Sequence, residues 1–139
     1  MKFISSSSNQ TKKFAQNLAK KFVKKQPNKY ALVIALFGEL GSGKTTFTQG
    51  FARGLGIKGK IISPTFIIMR RHKNFYHFDA YRLKNEKDIL ALGWKEIINN
   101  PGNIVLIEWA EKIKKILPRK CVKIYFEHVD KNKRKIIIS

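Results

Sequence analysis

Residues 38–45 read Gly-Glu-Leu-Gly-Ser-Gly-Lys-Thr, and this octapeptide has the complete Walker A form GxxxxGK(S/T) of a phosphate-binding loop. The preceding run, Tyr30 to Phe37, is apolar throughout, as in a strand buried on both faces of a parallel sheet. From Thr46 to Leu55, apolar side chains recur at every fourth position, which indicates one face of a helix. Strand, glycine-rich loop and helix therefore follow in the order that the motif requires, and they predict a site for ATP or GTP.

The backbone of this loop explains its preference for phosphate. Its glycines can take conformations closed to other residues, so consecutive amide groups can surround phosphate oxygens at the positive end of the following helix. Lys44 would neutralise the outer phosphates, the Thr45 hydroxyl would hold Mg²⁺, and Glu39 is expected to face solvent or a partner. The predicted nucleotide-binding residues of the loop are Gly38, Glu39, Leu40, Gly41, Ser42, Gly43, Lys44, Thr45 and Thr46.

Length and composition favour one globular domain over residues 1–139, without room for a second catalytic domain. No apolar stretch is long enough to span a bilayer, and the polar Ser5 interrupts any signal-peptide core at the start. The single cysteine, Cys121, cannot form an internal disulfide, and its apolar surroundings predict a buried thiol. These features predict a cytoplasmic protein.

The formal net charge of +20 has two interpretations. One is a partner with phosphates or an acidic surface, such as RNA or an acidic protein. The other is a general excess of lysine scattered along the chain without a binding role, in which arginine is scarce. Two dense clusters stand out from this background: Lys20, Lys21, Lys24 and Lys25 at the end of a predicted helix, and Lys131, Lys133, Arg134 and Lys135.

The predicted elements mix parallel strand–helix units with antiparallel hairpins. They indicate an α/β, P-loop NTPase-like three-layer fold with a mixed, partly antiparallel sheet flanked by helices. Besides the strand and helix around the loop, they are a helix over Gln10–Lys25 capped by Ser8 or Asn9, extended segments at Ile61–Ile62 and Thr65–Arg71, a strand over Phe75–Asp79, a helix over Glu86–Asn99 weakened by Gly93, and strands over Ile104–Ile107, Val122–Glu127 and Lys135–Ile138.

Two of the few carboxylates end predicted strands. Glu108 follows the apolar run Ile104–Ile107, as in a Walker B element, and Asp79 ends its own strand in the same way. In P-loop enzymes one such carboxylate holds Mg²⁺ and another can orient the attacking water, which gives these roles to Glu108 and Asp79. The alternative for each is a surface ion pair with a lysine. His77 can pair with Asp79 across the strand end, or it is a structural histidine.

The segment Ser63-Pro64-Thr65-Phe66 follows the helix after the phosphate loop, where many NTPases place a switch. Thr65 in such a segment can reach Mg²⁺ or the γ-phosphate and so respond to hydrolysis. A proline-containing turn at the entry to a strand is the alternative.

Four ordered motifs together resemble the TsaE family, the P-loop ATPases of bacterial threonylcarbamoyladenosine tRNA modification. They are GELGSGKTTFTQG at 38–50, SPTF at 63–66, HFDAYRL at 77–83 and LIEW at 106–109. The resemblance extends from about Thr11 to Ile138 and so covers nearly the entire chain. One departure is Ala110, where the family usually has a proline after the Glu-Trp pair.

The resemblance implies an Mg²⁺-dependent ATPase, weak alone, that supports turnover of the TsaD–TsaB transferase. It implies ATP and Mg²⁺ as cofactors, TsaD and TsaB as partners, and no role for DNA or a membrane, while contact with tRNA is possible through the complex and direct contact stays open. It assigns phosphate binding to residues 41–46, Mg²⁺ to Thr45 and Glu108, and catalysis to Lys44, Asp79, Glu108 and Thr65. Further residues follow the family's motifs: Trp109, His77, Tyr81 and Arg82 as functional residues, and Ser6, Ser8, Thr11, Asn132 and Lys133 around the base.

Two other functions fit a phosphate loop in so short a chain. A nucleotide-dependent assembly adaptor would bind ATP and dock on its partner without hydrolysis. A small P-loop kinase is the third alternative, although no arginine-rich lid or second substrate domain is evident. Arg82 is the candidate cation beyond Lys44 for stabilising the transferred phosphate, with a structural role as its alternative.

Overall fold

The computed structural model describes residues 1–25, 29–39, 41–58 and 68–139. Leu40, Thr65 and the extended segments predicted at Ile61–Ile62 and at the start of Thr65–Arg71 lie outside these residues. The chain divides into two compact units. The first unit comprises Met1–Gln26, Gly38–Ser63 and Ile124–Ser139, and the second comprises Pro27–Phe37 and Pro64–Lys123. The prediction of a single domain stays a prediction.

Seven strands and four α-helices lie in the described ranges, together with one 3₁₀ helix. The strands are β1 (Lys2–Ser5), β2 (Leu32–Gly38), β3 (Met69–His72), β4 (Phe75–Asp79), β5 (Ile104–Glu108), β6 (Cys121–His128) and β7 (Arg134–Ile138). The helices are α1 (Ser8–Lys24), α2 (Lys44–Gly54), α3 (Lys87–Leu90), α4 (Trp94–Asn99) and the 3₁₀ helix over Ala110–Ile116. No described helix has the length and apolar character needed to cross a bilayer.

In the first unit, β7 pairs antiparallel with β1 on one side and with β6 on the other. Helices α1 and α2 pack together at very short distance. A Cβ atom on Gly50 would lie 2.3 Å from the carbonyl oxygen of Lys12, and one on Gly54 would lie 2.4 Å from that of Gln16. These two glycines are four residues apart and share one face of α2. The α1–α2 contact therefore depends on the absence of side chains at both positions.

In the second unit, β5 lies between β2 and β4 and pairs parallel with both, while β3 and β4 form an antiparallel hairpin. The core of this unit packs around Trp94, whose ring meets that of Phe78 edge-on at 5.4 Å and whose indole N–H donates to the carbonyl of Ile116 at 3.3 Å. Both ring residues are almost fully buried. Burial on both faces explains why β5 is apolar from Ile104 to Ile107.

The predicted fold class is confirmed: the described strands pair both parallel and antiparallel, and helices accompany them in both units. Two local predictions were wrong, and two short elements were not predicted. Ser7, not Ser8 or Asn9, caps α1, because its side chain accepts from the Gln10 amide. The helix predicted over Glu86–Asn99 is broken into α3 and α4 at Gly93, which has a φ of 86°. Strand β1 and the 3₁₀ helix were not predicted, since neither short segment has a periodic apolar pattern.

Candidate functional site

The phosphate loop lies in the first unit, between the end of β2 at Gly38 and the start of α2 at Lys44. Gly41 and Gly43 have φ angles of 77° and 103°, which are values that other residues rarely adopt. Gly43 is the N-cap of α2 and contributes no side-chain hydrogen bond. The first amide groups of α2 are therefore placed as in helix N-termini that bind anions.

Ser42 and Lys44 are the buried polar side chains of this loop. Ser42 is 1% exposed, and its hydroxyl has no hydrogen-bond partner among the described residues. Lys44 is 5% exposed, and its ammonium donates to the carbonyl oxygens of Gly38 and Glu39. An unsatisfied buried hydroxyl is costly, and an incoming phosphate oxygen would satisfy it. The loop thus has the donors and the positive charge that a phosphate group requires.

The other described loop residues are more accessible. Thr45 and Thr46 are half-buried in the first turn of α2, and Glu39 is exposed, as its predicted solvent-facing position requires. The assignment of the Thr45 hydroxyl to Mg²⁺ stays a prediction.

The acidic strand ends lie in the second unit, where β4 and β5 run parallel and end together. Their register places Asp79 beside Glu108. Asp79 is half-buried, and its Oδ1 accepts the amide hydrogen of Tyr81 at 3.0 Å, while Glu108 is 2% exposed. The two carboxylates therefore lie side by side at the ends of neighbouring parallel strands, while their predicted roles stay predictions.

His77 does not pair with Asp79, so that prediction was wrong. Its Nε2 lies 2.6 Å from Oε2 of Glu108, and both side chains are 2% exposed. Glu108 lies diagonally across from His77, because the parallel register pairs His77 with Leu106 and Asp79 with Glu108, and a long glutamate side chain can span such a diagonal. Nδ1 of His77 is buried without a hydrogen-bond partner in the described part of the chain. The imidazole therefore orients the carboxylate that is the candidate metal ligand.

The donor types at these positions fit Mg²⁺, which prefers oxygen ligands and usually needs only one or two carboxylates besides phosphates and water. Within the described ranges no three His, Cys, Asp or Glu side chains form a group that could hold a metal by themselves. Glu108 offers one carboxylate, partly fixed by His77. A metal held with the help of a nucleotide is consistent with this donor set.

An aromatic pair follows the acidic strand ends. The rings of Tyr81 and Trp109 lie 4.8 Å apart between centroids, with Tyr81 exposed and Trp109 half-buried. Trp109 has a φ of 60°, an uncommon value for a residue with a bulky side chain. It turns the chain from β5 directly into the 3₁₀ helix that begins at Ala110. Arg82 follows Tyr81 in the sequence, and its side chain is exposed.

The residues predicted around the base lie at two places in the first unit. Ser6 and Ser8 are exposed at the start of α1, and Thr11 is buried, with its hydroxyl 2.6 Å from that of Ser5. Asn132 and Lys133 are exposed in the turn between β6 and β7, where their amides donate to Oδ1 of Asp130. Their roles toward a nucleotide stay predictions.

Two basic residues next to the phosphate loop were not predicted as site residues. Cβ atoms built on Gly41 and Gly43 would lie 3.9 Å from Nε2 of His128 and from Cγ of Arg134. The basic cluster around Lys131–Lys135 contained Arg134, but only the pairing of β6 with β7 reveals its position.

Cys121 is only partly buried, contrary to the prediction of a buried thiol, and this burial still raises the pKa of its thiol.

Comparison with known proteins identifies the family. The sequence model of TsaE, described as threonylcarbamoyl adenosine biosynthesis protein TsaE, matches residues 5–136. The tRNA threonylcarbamoyladenosine biosynthesis protein TsaE of Rickettsia felis is 41% identical over 130 residues, covering 90% of this chain and 71% of that protein. The protein of the same name from Bacillus subtilis is 39% identical over 111 residues, covering 77% of this chain and 68% of that protein.

A solved structure has the same fold. The crystal structure of Bacillus subtilis YdiB superposes with a TM-score of 0.77 at 31% identity, covering 98% of this chain and 82% of the other. The residues that the TsaE sequence model matches, 5–136, include the phosphate loop, both acidic strand ends and the β6–β7 turn. The chain therefore belongs to the TsaE family of threonylcarbamoyl adenosine biosynthesis proteins.

Proposed function

We propose that this chain is the ATP-binding and ATP-hydrolysing subunit of the cytoplasmic machinery that makes threonylcarbamoyladenosine in tRNA. In this role it supports turnover of the TsaD–TsaB transferase and does not itself transfer the threonylcarbamoyl group. Membership of the TsaE family and the names of its relatives support the pathway.

The phosphate loop is the observation that carries the proposal. A buried ammonium, a buried hydroxyl with no partner among the described residues, and a helix N-terminus capped by glycine occur within three consecutive residues, 42–44. A purely structural turn has no need of a buried lysine, whose burial is unusual unless it is paired. The binding of a polyphosphate explains all three features.

The proposed roles follow from the chemistry of each side chain. Lys44 binds the outer phosphates, Thr45 and Glu108 hold Mg²⁺, and Asp79 orients the attacking water, with Thr65 as a sensor of the γ-phosphate. When bound, Mg²⁺ neutralises charge that develops on the phosphate oxygens. His77 holds the Glu108 carboxylate in position through Nε2. Arg82 is the proposed further cation, and Trp109 with Tyr81 presents an aromatic surface to a partner.

Phosphoryl transfer requires positive charge around the transferred group, and we propose that the isolated chain holds only part of this charge in place. We therefore expect slow hydrolysis by the isolated chain. Docking of TsaD and TsaB would order or supply the missing group.

The test is an ATPase assay on the purified chain, alone and with TsaD and TsaB, with pull-down on the same mixtures. We expect the partners to stimulate ATP hydrolysis. Glu108→Ala should abolish this stimulation, and the exposed control Glu96→Gln should retain it. Partner binding that needs ATP without any turnover would support an assembly adaptor instead. Transfer of the γ-phosphate to an acceptor other than water would support a kinase.

A further inference from the structure

The hairpin of β6 and β7 places two basic side chains beside the phosphate loop. His128 and Arg134 are a cross-strand pair at the end of this hairpin. A Cβ atom on Gly41 would lie 3.9 Å from Nε2 of His128, and one on Gly43 would lie 3.9 Å from Cγ of Arg134. All four residues belong to the first unit. The end of the hairpin therefore places the side chains of His128 and Arg134 next to the phosphate loop.

Arg134 is oriented by the turn that precedes it. Its Nη1 donates to the carbonyl oxygens of Asp130, Lys131 and Lys133 at 3.4, 3.4 and 3.2 Å. These are long hydrogen bonds, and all of them use one nitrogen. In the described ranges, neither Nε nor Nη2 of Arg134 makes a hydrogen bond. The guanidinium is thus held in place with donors available to a ligand.

The position of Arg134 along the loop indicates which phosphates it can meet. Backbone amides of a Walker A loop surround the α- and β-phosphates, and its lysine reaches the β- and γ-phosphates. Gly43, whose Cα lies beside the aliphatic stem of Arg134, belongs to the amide part of the loop. A guanidinium can give two parallel hydrogen bonds to one phosphate, which an ammonium cannot.

We propose that Arg134 is a further nucleotide-binding residue, which contacts the α- and β-phosphates from the β6–β7 hairpin. The inference rests on the proposed function, because it requires a nucleotide in the phosphate loop. Since ADP and ATP share these phosphates, Arg134 strengthens the binding of both equally. Lys44, by contrast, strengthens ATP binding more than ADP binding.

The experiment measures ADP and ATP affinities by calorimetry for the wild type, Arg134→Met and Lys135→Met. Methionine keeps an apolar stem over Gly43 and removes the guanidinium. Lys135→Met is the matched control, because it removes one positive charge from the next residue, whose nearest acid is Glu127 at 3.9 Å. We expect Arg134→Met to weaken the binding of both nucleotides about tenfold, with the ATP-to-ADP affinity ratio unchanged, because the guanidinium gives charge-assisted hydrogen bonds to phosphates that both nucleotides share. Lys135→Met should leave both affinities as in the wild type.

Each other outcome counts against a specific statement. A wild type that binds ADP, with equal binding by Arg134→Met, would overturn the inference and leave the proposed function intact. Equal losses in Arg134→Met and Lys135→Met would show a general charge effect and also overturn it. A wild type that binds neither nucleotide would overturn both. Thermal melting without nucleotide checks folding, and if Arg134→Met does not fold, Arg134→Gln is measured against the same expectations.

Discussion

The phosphate loop and the acidic strand ends differ in the charge of the ligand proposed for each and in the groups that would bind it. The loop prepares for an anion with backbone groups, made available by glycines in left-handed conformations, and with the buried ammonium of Lys44. At the strand ends, parallel pairing brings the side chains of Asp79 and Glu108 side by side, and we propose that Glu108 binds a cation there. One set of groups depends on local chain conformation, and the other depends on long-range register.

This difference predicts different sensitivities. A change in the loop should affect nucleotide binding itself, with or without metal. A change at the strand ends should affect metal-dependent turnover and leave metal-free nucleotide binding intact. The variants below test this separation, in order of decreasing expected effect on nucleotide chemistry.

Lys44→Ala should have the largest effect on nucleotide binding, because it removes the buried positive charge of the loop. We expect ATP affinity to fall about a hundredfold, since hydrogen bonds to charged groups contribute roughly 1.5–3 kcal/mol and Lys44 can make more than one. Calorimetry with ATP measures the loss, and Lys13→Ala on the exposed side of α1 is the control. ATP affinity close to that of the wild type would contradict the proposed role of the loop in binding the anionic phosphates.

Glu108→Gln keeps the shape of the side chain and removes the carboxylate charge. Mg²⁺-dependent ATP turnover should fall about a hundredfold, because a bound metal contributes several kcal/mol to stabilising the transferred phosphate. ADP affinity measured in EDTA should not change. A parallel fall in the EDTA measurement would mean that the strand ends serve the nucleotide directly and that the proposed division of roles is wrong.

His77 offers a sharper test of the cation side, since its Nε2 contacts Glu108. In asparagine the side-chain amide takes about the position of the imidazole Nδ1. In glutamine the amide reaches the position of Nε2. His77→Asn should weaken the apparent Mg²⁺ affinity in the ATPase assay about tenfold, as loss of an outer-shell partner does, and His77→Gln should restore part of it. Identical behaviour of the two variants would indicate a general packing role for His77.

Gly50→Ala should have the smallest effect on nucleotide chemistry and a clear effect on stability. The new Cβ would meet the Lys12 carbonyl, and this clash, typically about 1–3 kcal/mol or more, should outweigh the gain of roughly 1 kcal/mol from better helix propensity. Urea unfolding measures the net loss in the free energy of unfolding. Gly102→Ala is the control, because its Cβ would find only an ordinary contact at 3.5 Å. A stabilised Gly50→Ala variant would contradict the close α1–α2 contact.

The same contrast explains how much the sequence could reveal. The phosphate loop was predictable in detail, because Gly41, Gly43 and Lys44 act through local conformation that their identities determine. The strand ends were predictable as positions, because apolar runs end at Asp79 and Glu108. The partner of His77 was not, since it depends on the register of the neighbouring strand, which places Glu108 diagonally across from His77. Arg134 was likewise hidden among other basic residues, because its place beside Gly43 arises from a hairpin far along the chain.

The first unit is assembled from three separate stretches of chain, and Lys2 pairs with Ile137. During synthesis on the ribosome, the phosphate loop emerges long before β6 and β7, which complete its unit. Contacts between residues so distant in sequence slow folding, because the intervening loop must close first. Nucleotide can therefore stabilise the complete unit only after β7 has emerged, so the nascent chain must reach that point without help from its own ligand.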